Sequence, residues 1–357
     1  MSGNTFGKCL SITTFGESHG NGLGVVVDGV PSGLNITQQD IQTLLDSRRP
    51  NNNPNVTPRN ELDKVEILSG IYNNQTLGTP VALLVRNHDA HSKDYDDLKD
   101  IFRPSHADFT WSNKYKVHDH RGGGRSSARE TLSRVAASAI SNAILKKHSI
   151  NINGAIIQLY NQKIDRNNWN WNEVGNNHFY CPDHYMIPKW QSIIDKCKLN
   201  GNSVGIIAEI HITNMLVGIG EPVFNKITSI LAHAITSIPA VKGIEFGLGF
   251  EFCNYMGSEV NDEIYFEHKN NTVKFKSNNS GGLLGGISNG DDIIIRYVVK
   301  PTSSIKSKQK TINNQNKEVS FQITGRHDPC AGLRSIPIAK AMASLSIADL
   351  ILQQQLN

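Results

Sequence analysis

The residues best suited to binding or catalysis lie in one short segment, residues 119–131 (DHRGGGRSSARET). A glycine triplet allows the backbone to approach a ligand closely. A helix that begins beside the triplet adds unbonded N–H groups and the positive end of its dipole. Four arginines and two serines occur within or just after the segment: Arg121, Arg125, Arg129, Arg134, Ser126 and Ser127. Together these groups predict a site for phosphate or carboxylate. The spacing is not that of a P-loop, and a solvated arginine face beside a glycine turn is the alternative.

Two further cationic segments could contribute to such a site. Arg48 and Arg49 follow a predicted helix, where a favourable interaction with the helix dipole alone would explain them. Residues 325–329 (GRHDP) place Asp328 on a loop between His327 and a proline, followed by Arg334. A loop aspartate most often caps a turn. Glycines at 281–286 and the Lys-plus-hydroxyl segment 300–304 add two more candidate ligand contacts.

Two histidines occur in contexts that suit acid–base chemistry. His19 follows Ser18 and Glu17 in a glycine-flanked turn, and His106 lies between Ser105 and Asp108. An imidazole beside a hydroxyl and an acid is the usual material of a proton donor, although a loop histidine is commonly just exposed. Four other histidines lack a clear acidic or cysteine complement, so we expect no metal site. They are His88, His91, His118 and His120.

The composition excludes several classes of protein. The 357 residues include 36 Lys and Arg against 32 Asp and Glu, a net charge of +4. This balance provides no broad basic field for nucleic acid. Five scattered cysteines without a C-x-x-C pair indicate a reducing compartment. The N-terminus does not resemble a signal peptide, and no uninterrupted apolar run approaches about 18 residues. We therefore expect a cytoplasmic protein with no membrane or nucleic-acid partner.

Hydrophobic periodicity predicts four helices and several strands. One helix follows Thr37 as N-cap, with Asp40 in its first turn. A second spans 127–147, with Ser127 and Glu130 as a capping box. A third has Pro222 at its first position, and a fourth starts near Ile336. Strands are predicted at 25–27, 81–85, 204–212 and 293–299.

The order of these elements favours an α+β fold. Helices and strands are interspersed but do not form regular βαβ units, so antiparallel sheets fit better than a doubly wound parallel sheet. No glycine-, serine- or proline-rich hinge divides the chain. We expect a single domain over 1–357, with flexible loops near 48–60, 88–98 and 301–320.

Six segments resemble the motifs of one enzyme family, chorismate synthase. They occur in the family's order, and the resemblance extends from about residue 3 to 345. The six segments are 15–20 (FGESHG), 103–110 (RPSHADFT), 121–131 (RGGGRSSARET), 281–287 (GGLLGGI), 300–304 (KPTSS) and 325–330 (GRHDPC). The resemblance implies long helices sandwiched between antiparallel β-sheets in a homotetramer. It implies a carbon–oxygen lyase that performs the anti-1,4-elimination of phosphate from 5-enolpyruvylshikimate 3-phosphate, giving chorismate. This is the last common step of the shikimate pathway to aromatic amino acids. The family requires reduced FMN, although the reaction has no net redox change.

The resemblance also assigns roles to residues. His19 resembles the general acid for the leaving phosphate, with Ser18 beside it, and His106 the histidine that protonates the reduced flavin. Asp328, assisted by Ser127, resembles the relay of a proton from flavin N5. The implied substrate-binding residues are Arg48, Arg49, Arg129, Arg134 and Arg334. The implied flavin-binding residues are Arg125, Ser126, Ser127, Pro239, Ala240, Gly285, Lys300, Pro301, Thr302, Ser303, Ser304 and Arg326.

Three positions depart from the family pattern. Lys116 stands where the family usually has glycine, Pro239 where asparagine is common, and Pro54 where some members carry an arginine proposed to touch NADP. We therefore expect a monofunctional enzyme that depends on an external flavin reductase or another supply of reduced FMN. The competing hypotheses are a non-catalytic phosphate-ligand or flavin-binding protein on the same scaffold and an RNA-binding module.

Overall fold

The computed structural model describes residues 3–49, 55, 62–87, 100–116, 123–323 and 328–355. The α-helices within these residues are α1 (Gln38–Arg48), α2 (Asp108–Tyr115), α3 (Thr131–Lys146), α4 (Trp171–Val174), α5 (Ile187–Leu199), α6 (Ile227–Thr236), α7 (Gly257–Val260) and α8 (Ser335–Gln354). Short 3₁₀ turns lie between several of them, including Gly124–Ser126 and Ala128–Glu130 directly before α3.

The strands of the described residues are β1 (Thr5–Phe6), β2 (Ser11–Gly16), β3 (Gly22–Asp28), β4 (Val65–Ser69), β5 (Ile71–Tyr72), β6 (Gln75–Thr76), β7 (Val81–Arg86), β8 (Asn151–Leu159), β9 (Gln162–Lys163), β10 (Ile206–Thr213), β11 (Val241–Phe246), β12 (Ile264–Glu267), β13 (Thr272–Phe275), β14 (Leu283–Leu284), β15 (Ile287–Ser288), β16 (Ile293–Val299), β17 (Gln309–Ile312) and β18 (Glu318–Phe321). Two five-stranded antiparallel sheets organise them. The first sheet has the order β1-β2-β3-β7-β4, and the second has the order β11-β16-β10-β8-β9.

The helices lie between the two sheets. α3 packs on β3 and β7 of the first sheet and on α8, while α8 packs on β8 and β10 of the second. Alternate residues of β7, such as Val81, Leu83 and Val85, are buried because successive side chains of a strand point to opposite faces. α8 is buried around its whole circumference from Ala341 to Ile351. The resulting order is sheet, helix, helix, sheet, which confirms the predicted α+β sandwich of helices between antiparallel sheets.

Small residues let α3 and α8 approach closely. Both helices are rich in alanine and serine, and buried hydroxyls connect them. The Oγ atoms of Ser141 and Ser344 are 2.7 Å apart, and Ser344 donates to Asn142 Oδ1 at 2.6 Å. Polar groups between the helices are therefore hydrogen-bonded to one another, as burial requires.

The predicted helices are confirmed, with two corrections at their N-termini. α1 begins as expected, with a capping box formed by Thr37 and Asp40. The capping box predicted for Ser127 and Glu130 is wrong. Ser127 caps a 3₁₀ turn by accepting from the Arg129 N–H, and α3 starts only at Thr131. The Glu130 carboxylate accepts from Thr14 and Arg134 instead.

Pro222 does not occupy the first position of a helix. The Glu221 N–H donates to Asn225 O in a turn, and α6 starts five residues later, where the Ile227 N–H donates to Gly286 O. The sequence pattern placed Pro222 at the start of the helix because apolar residues with helical spacing begin close after it. The proline belongs instead to the turn that precedes α6. α2, α4, α5 and α7 were not predicted.

The C-terminal segment Ala331–Gln354 passes a length and hydropathy test for a membrane span, but 89% of its most apolar window is buried inside the protein. This is the pattern of a helix in the core of a protein. Of the predicted flexible loops, 50–54, 56–61 and 88–99 lie outside the described residues. The third contains the β17–β18 hairpin; its flexibility and the single-domain boundary stay predictions.

Candidate active site

A cleft of about 660 Å³ lies beside the β2–β3 turn, where several of the predicted segments meet. Its lining includes residues next to both candidate histidines, the 123–126 loop, the start of α3 and the end of α6. Among them are Thr14, Glu17, Ala107, Asp108, Gly123, Gly124, Arg125, Ser126, Glu130, Arg134 and Ser237. This volume is typical of small-molecule sites.

A buried carboxylate organises the cationic wall of the cleft. Glu130, 4% exposed, accepts from Thr14 Oγ1 at 2.8 Å and from Arg134 Nε at 2.9 Å. Arg125 Nη2 donates to Thr14 Oγ1 at 2.7 Å and lies 3.8 Å from Glu130 Oε1. Arg134 Nη1 also donates to the Ser237 hydroxyl at 2.7 Å. Two of the predicted anion-binding arginines are thus held side by side at the cleft.

The glycine loop forms the floor of the cleft by close approach of backbone. Gly124 has a φ of +51°, and a Cβ there would lie 2.8 Å from Glu17 Oε2. A Cβ on Gly123 would press on Ser127 at 3.2 Å. Glycine therefore lets the loop present its backbone beside Glu17 without filling this space or straining the loop.

The His106 loop carries an ion-paired carboxylate. Asp108 Oδ1 is 2.6 Å from His106 Nδ1, and Arg103 grips the same carboxylate through Nε at 2.7 Å and Nη2 at 2.8 Å. Burial raises the pKa of Asp108, but the bonds from Arg103 and His106 lower it more, so the pKa lies well below its usual value. Because the ionised carboxylate only accepts, the proton sits on Nδ1 of His106 and Nε2 is the ring atom available to a ligand.

Lys300 joins the 300–304 segment to this loop. Its Nζ donates to Ser105 O at 2.5 Å, and its N–H donates to Ala240 O at 2.9 Å. Burial and the charge of Lys242 lower the pKa of Lys300. Thr302 lies close to the Asp328 segment, since its hydroxyl accepts from the Ala331 N–H at 3.4 Å. The predicted flavin-binding segments at 239–240 and 300–302 therefore meet the loop that carries His106.

The turn that carries His19 is partly buried and rests on a residue, Asn87, that sequence reasoning missed. Ser18 is 1% exposed, and its Oγ has no hydrogen-bond partner in the described part of the chain. The Asn87 side chain donates to the backbone carbonyls of this turn. A lone asparagine after a strand gives no sequence signal for such a contact.

The other predicted substrate arginines lie apart from the described lining of the cleft. Arg48 and Arg129 are 4% and 8% exposed and both contact Asp63, at 3.6 and 3.0 Å. Arg49 pairs with Asp46 at 3.2 Å, and Arg334 pairs with Asp328 at 3.5 Å. Of the five, only Arg134 is in that lining, and the substrate roles of all five stay predictions.

Some predicted positions are distant or outside the described residues. Gly285 lies at the start of α6, next to the Gly286 carbonyl that accepts from Ile227. Because the ten residues of α6 span about 15 Å, Gly285 is roughly one helix length from Ser237 and the cleft. Pro301, Ser303 and Ser304 are among the described residues but do not line the cleft. Arg326 and Pro54 are outside the described residues, as are Arg121, His88, His91, His118 and His120. The described residues contain no group of three or more potential metal ligands.

Comparison with known proteins assigns the chain and its fold to one family. The sequence profile described as chorismate synthase matches residues 10–352. The chain belongs to the chorismate synthase family. The chorismate synthase of Paramagnetospirillum magneticum is 45% identical over 355 residues, covering 99% of this chain and 98% of the relative. That of Rhodopseudomonas palustris is 44% identical over 361 residues, covering 99% of each.

A solved structure supports the same conclusion. A crystal structure of chorismate synthase matches with a TM-score of 0.77 and 28% identity, over 98% of this chain and 93% of the other. The resemblance drawn from the six motifs is therefore confirmed at the level of family and fold. The family, the relatives and the fold all support an enzyme of the chorismate synthase kind.

Proposed function

We propose that this protein eliminates phosphate from 5-enolpyruvylshikimate 3-phosphate to give chorismate, as a carbon–oxygen lyase that depends on reduced FMN. One observation carries the proposal: a single cleft is lined by the neighbours of His19 and His106 together with Arg125 and Arg134. The cleft thus places cations for phosphate and carboxylates beside the two segments that carry the candidate proton donors. The substrate needs both kinds of group, because phosphate leaves as an anion and the product keeps its carboxylates.

The residues present fit a flavin phosphate and ring. Gly123 and Gly124 leave a cradle of backbone that a Cβ would fill, and the buried Ser18 Oγ has unmet bonding capacity in the described residues. Arg125, Ser126 and Lys300 would hold the group. When bound, reduced FMN supplies an electron transiently to a reaction without net redox change.

The protein's own groups then bind, orient and protonate. Asp108 fixes the His106 ring, so that Nε2 holds or releases a proton at a defined position. His19 protonates the departing phosphate. Glu130 holds Arg125 and Arg134 in place, so that their charge is preorganised for the anionic ligand.

Phosphate release under anaerobic conditions tests the proposal. With dithionite-reduced FMN we expect equimolar phosphate and chorismate, and with oxidised FMN neither. His19→Ala and His106→Ala should each lower turnover by roughly 10²–10⁴-fold, the scale of a general acid, while exposed His184→Ala should not. Flavin binding without any phosphate release would favour the alternative, a non-catalytic flavin- or phosphate-ligand protein.

We further propose that reduced flavin comes from a separate reductase in the cytoplasm and that the enzyme works as a homotetramer. The expectation of an external source rests on Pro54, which replaces an arginine proposed to touch NADP in some members of the family. NADPH with FMN alone should give no turnover, and adding a flavin reductase should restore it. Light scattering should give four times the monomer mass. Turnover with NADPH in the absence of reductase would contradict the first point, and a monomer or dimer mass the second.

A further inference from the structure

Asn87, directly after β7, holds the turn that carries His19. Its Nδ2 lies 3.1 Å from Glu17 O, 3.4 Å from Ser18 O and 2.8 Å from Gly20 O. Its backbone N–H donates to Asn21 O at 3.1 Å. An amide nitrogen has two protons, so the three carbonyls share them. The whole turn from 17 to 21 is thereby attached to the end of one core strand.

The other side of the same amide is fixed to a buried cation. Asn87 Oδ1 accepts from Arg129 Nε at 2.8 Å, and Arg129 Nη2 lies 3.0 Å from Asp63 Oδ1. Arg129 is 8% exposed and Asp63 is 5% exposed. A charged donor makes a stronger bond than a neutral one and polarises the amide it contacts. The turn therefore rests on an anchored ion pair through one side chain.

The backbone of the turn is intrinsically flexible. Glycines lie at both ends, with Gly16 at a φ of +93°, and the Gly20 N–H donates to Glu17 O at 3.0 Å. Flanking glycines give the backbone of a turn many accessible conformations, and the bonds from Asn87 restrict them. We propose that Asn87 is a positioning residue that selects the conformation in which Ser18 and His19 serve the cleft. Its effect on turnover rests on the proposed function.

The geometry explains why the residue is asparagine. The position requires a donor for carbonyls and an acceptor for Arg129 on one short, planar group. Aspartate would keep the acceptor but lose every donor, and alanine would lose both. The two substitutions therefore test donation to the turn carbonyls and acceptance from Arg129 separately. If Asn87→Ala folds poorly, Asn87→Asp still provides an acceptor for Arg129 and can be measured instead.

The matched control is Asn177, an asparagine with the same kind of contacts outside the described lining of the cleft. Its Nδ2 donates to Glu173 O at 2.6 Å and Cys181 O at 2.9 Å, and its Oδ1 accepts from the N–H groups of Phe179 and Cys181. Asn177→Ala should lower Tm and leave kcat within twofold of wild type. The comparison separates loss of a turn clamp from loss of catalytic geometry.

The experiment measures kcat, KM and the NMR signals of the His19 ring in the folded variants. For Asn87→Ala and Asn87→Asp we expect kcat to fall about 10–100-fold with KM changed less than about threefold, since small misplacements of a reacting group have effects of this size. The His19 ring signals of the flavin-free protein should move in both variants and stay in place in Asn177→Ala. Unchanged kcat in an active enzyme, or an equal loss in the control, would overturn the proposal. If the wild-type protein is inactive, the proposed function is wrong. In that case the NMR spectra still test whether Asn87 positions His19, and unmoved His19 signals in the Asn87 variants would refute that role.

Discussion

At the residue scale, Lys116 departs from the family pattern and has a backbone conformation that is unfavourable for a lysine. Lys116 follows α2 with a φ of +63°, in the region that favours glycine. Glycine is also the residue that the resemblance to the family implies at this position. An L-residue in the left-handed region is disfavoured by roughly 1–2 kcal/mol, partly offset by the greater flexibility of glycine in the unfolded chain.

Lys116→Gly should therefore raise stability by about 0.5–1 kcal/mol, which raises Tm by about 1–3 °C for a protein of this size. Differential scanning calorimetry measures the change. Lys114→Gly, within α2, is the control and should lower stability by about 1 kcal/mol. A fall in Tm for Lys116→Gly would show that the lysine side chain makes a compensating contact.

The lowered pKa of Asp108 predicts a pH dependence of stability. An unfolded aspartate titrates near 3.9, whereas Arg103 and His106 keep the folded carboxylate ionised at lower pH. The stabilisation is therefore complete above about pH 4 and is lost as pH falls toward the lowered pKa. Asp108→Asn should reduce the unfolding free energy by about 2–3 kcal/mol at pH 6, and the difference should shrink between pH 4 and 2.

Urea denaturation across this range tests the expectation, with Glu66→Gln as control. Glu66 pairs with Arg86 at 3.2 Å, but both side chains are about half exposed. An exposed pair contributes about 1 kcal/mol or less, so that variant should differ little from wild type at any pH. A pH-independent difference for Asp108→Asn would mean that the loss arises from geometry rather than charge.

The sequence predicted some residues of the site from their types, but it did not predict the residues that hold them in position. Histidines, arginines and glycine triplets are recognisable because few roles require them together. Asn87 is one polar residue after a strand, and the turn carbonyls that its side chain contacts are 67 to 70 residues away in the chain. Only the pairing of β3 with β7 brings them together.

At the element scale, local signals located the starts of helices when the cap was itself local. Thr37 and Asp40 satisfy the first turn of α1 reciprocally, so the sequence predicted that helix well. Ser127 and Glu130 have the same pattern, but Thr14 and Arg134 compete for the glutamate across the fold. Tertiary bonds of this kind are invisible in a capping pattern.

Asp349 of α8 connects the helix to the start of the first sheet. Its carboxylate, 3% exposed, accepts from the backbone N–H groups of Lys8, Cys9 and Leu10 at 3.1, 2.7 and 2.9 Å. The segment leads into β2, which carries Thr14 to the cleft.

Asp349→Ala should lower the free energy of unfolding by about 3 kcal/mol or more, because three backbone donors lose a charged acceptor. Urea denaturation measures the loss. Asp195→Ala on α5 is the control, since that side chain is 58% exposed, and should change stability by about 0.5 kcal/mol or less. Equal effects of the two substitutions would show that water replaces the bonds to Asp349.

At the scale of the whole molecule, the charges of the site are largely balanced by carboxylates within it. Each described arginine of the predicted anion site contacts an acid: Arg48 and Arg129 contact Asp63, Arg49 contacts Asp46, Arg125 and Arg134 contact Glu130, and Arg334 contacts Asp328. A cationic cleft is thus compatible with a net charge of +4, and no extended basic surface is needed.

This balance predicts weak dependence on salt. RNA filter binding should show no specific retention at 50 or 200 mM salt, whereas turnover should fall less than tenfold over that range, because a partly buried site is screened less than a surface. A protein that bound RNA through 6–10 phosphate contacts would lose about 10³–10⁵ in affinity. Such a steep loss, with measurable binding at low salt, would favour the RNA-binding hypothesis.

The bonds from residues 8–10 to Asp349 have a consequence for synthesis of the chain. They connect positions 339 to 341 residues apart, and a ribosome that adds 5–20 residues per second needs roughly 20–70 s to make that length. The segment leading into β2 therefore waits through most of translation for its acceptor. During that interval the N-terminal strands are exposed to chaperones and to other nascent chains, so the yield of active enzyme should depend on the protection they receive.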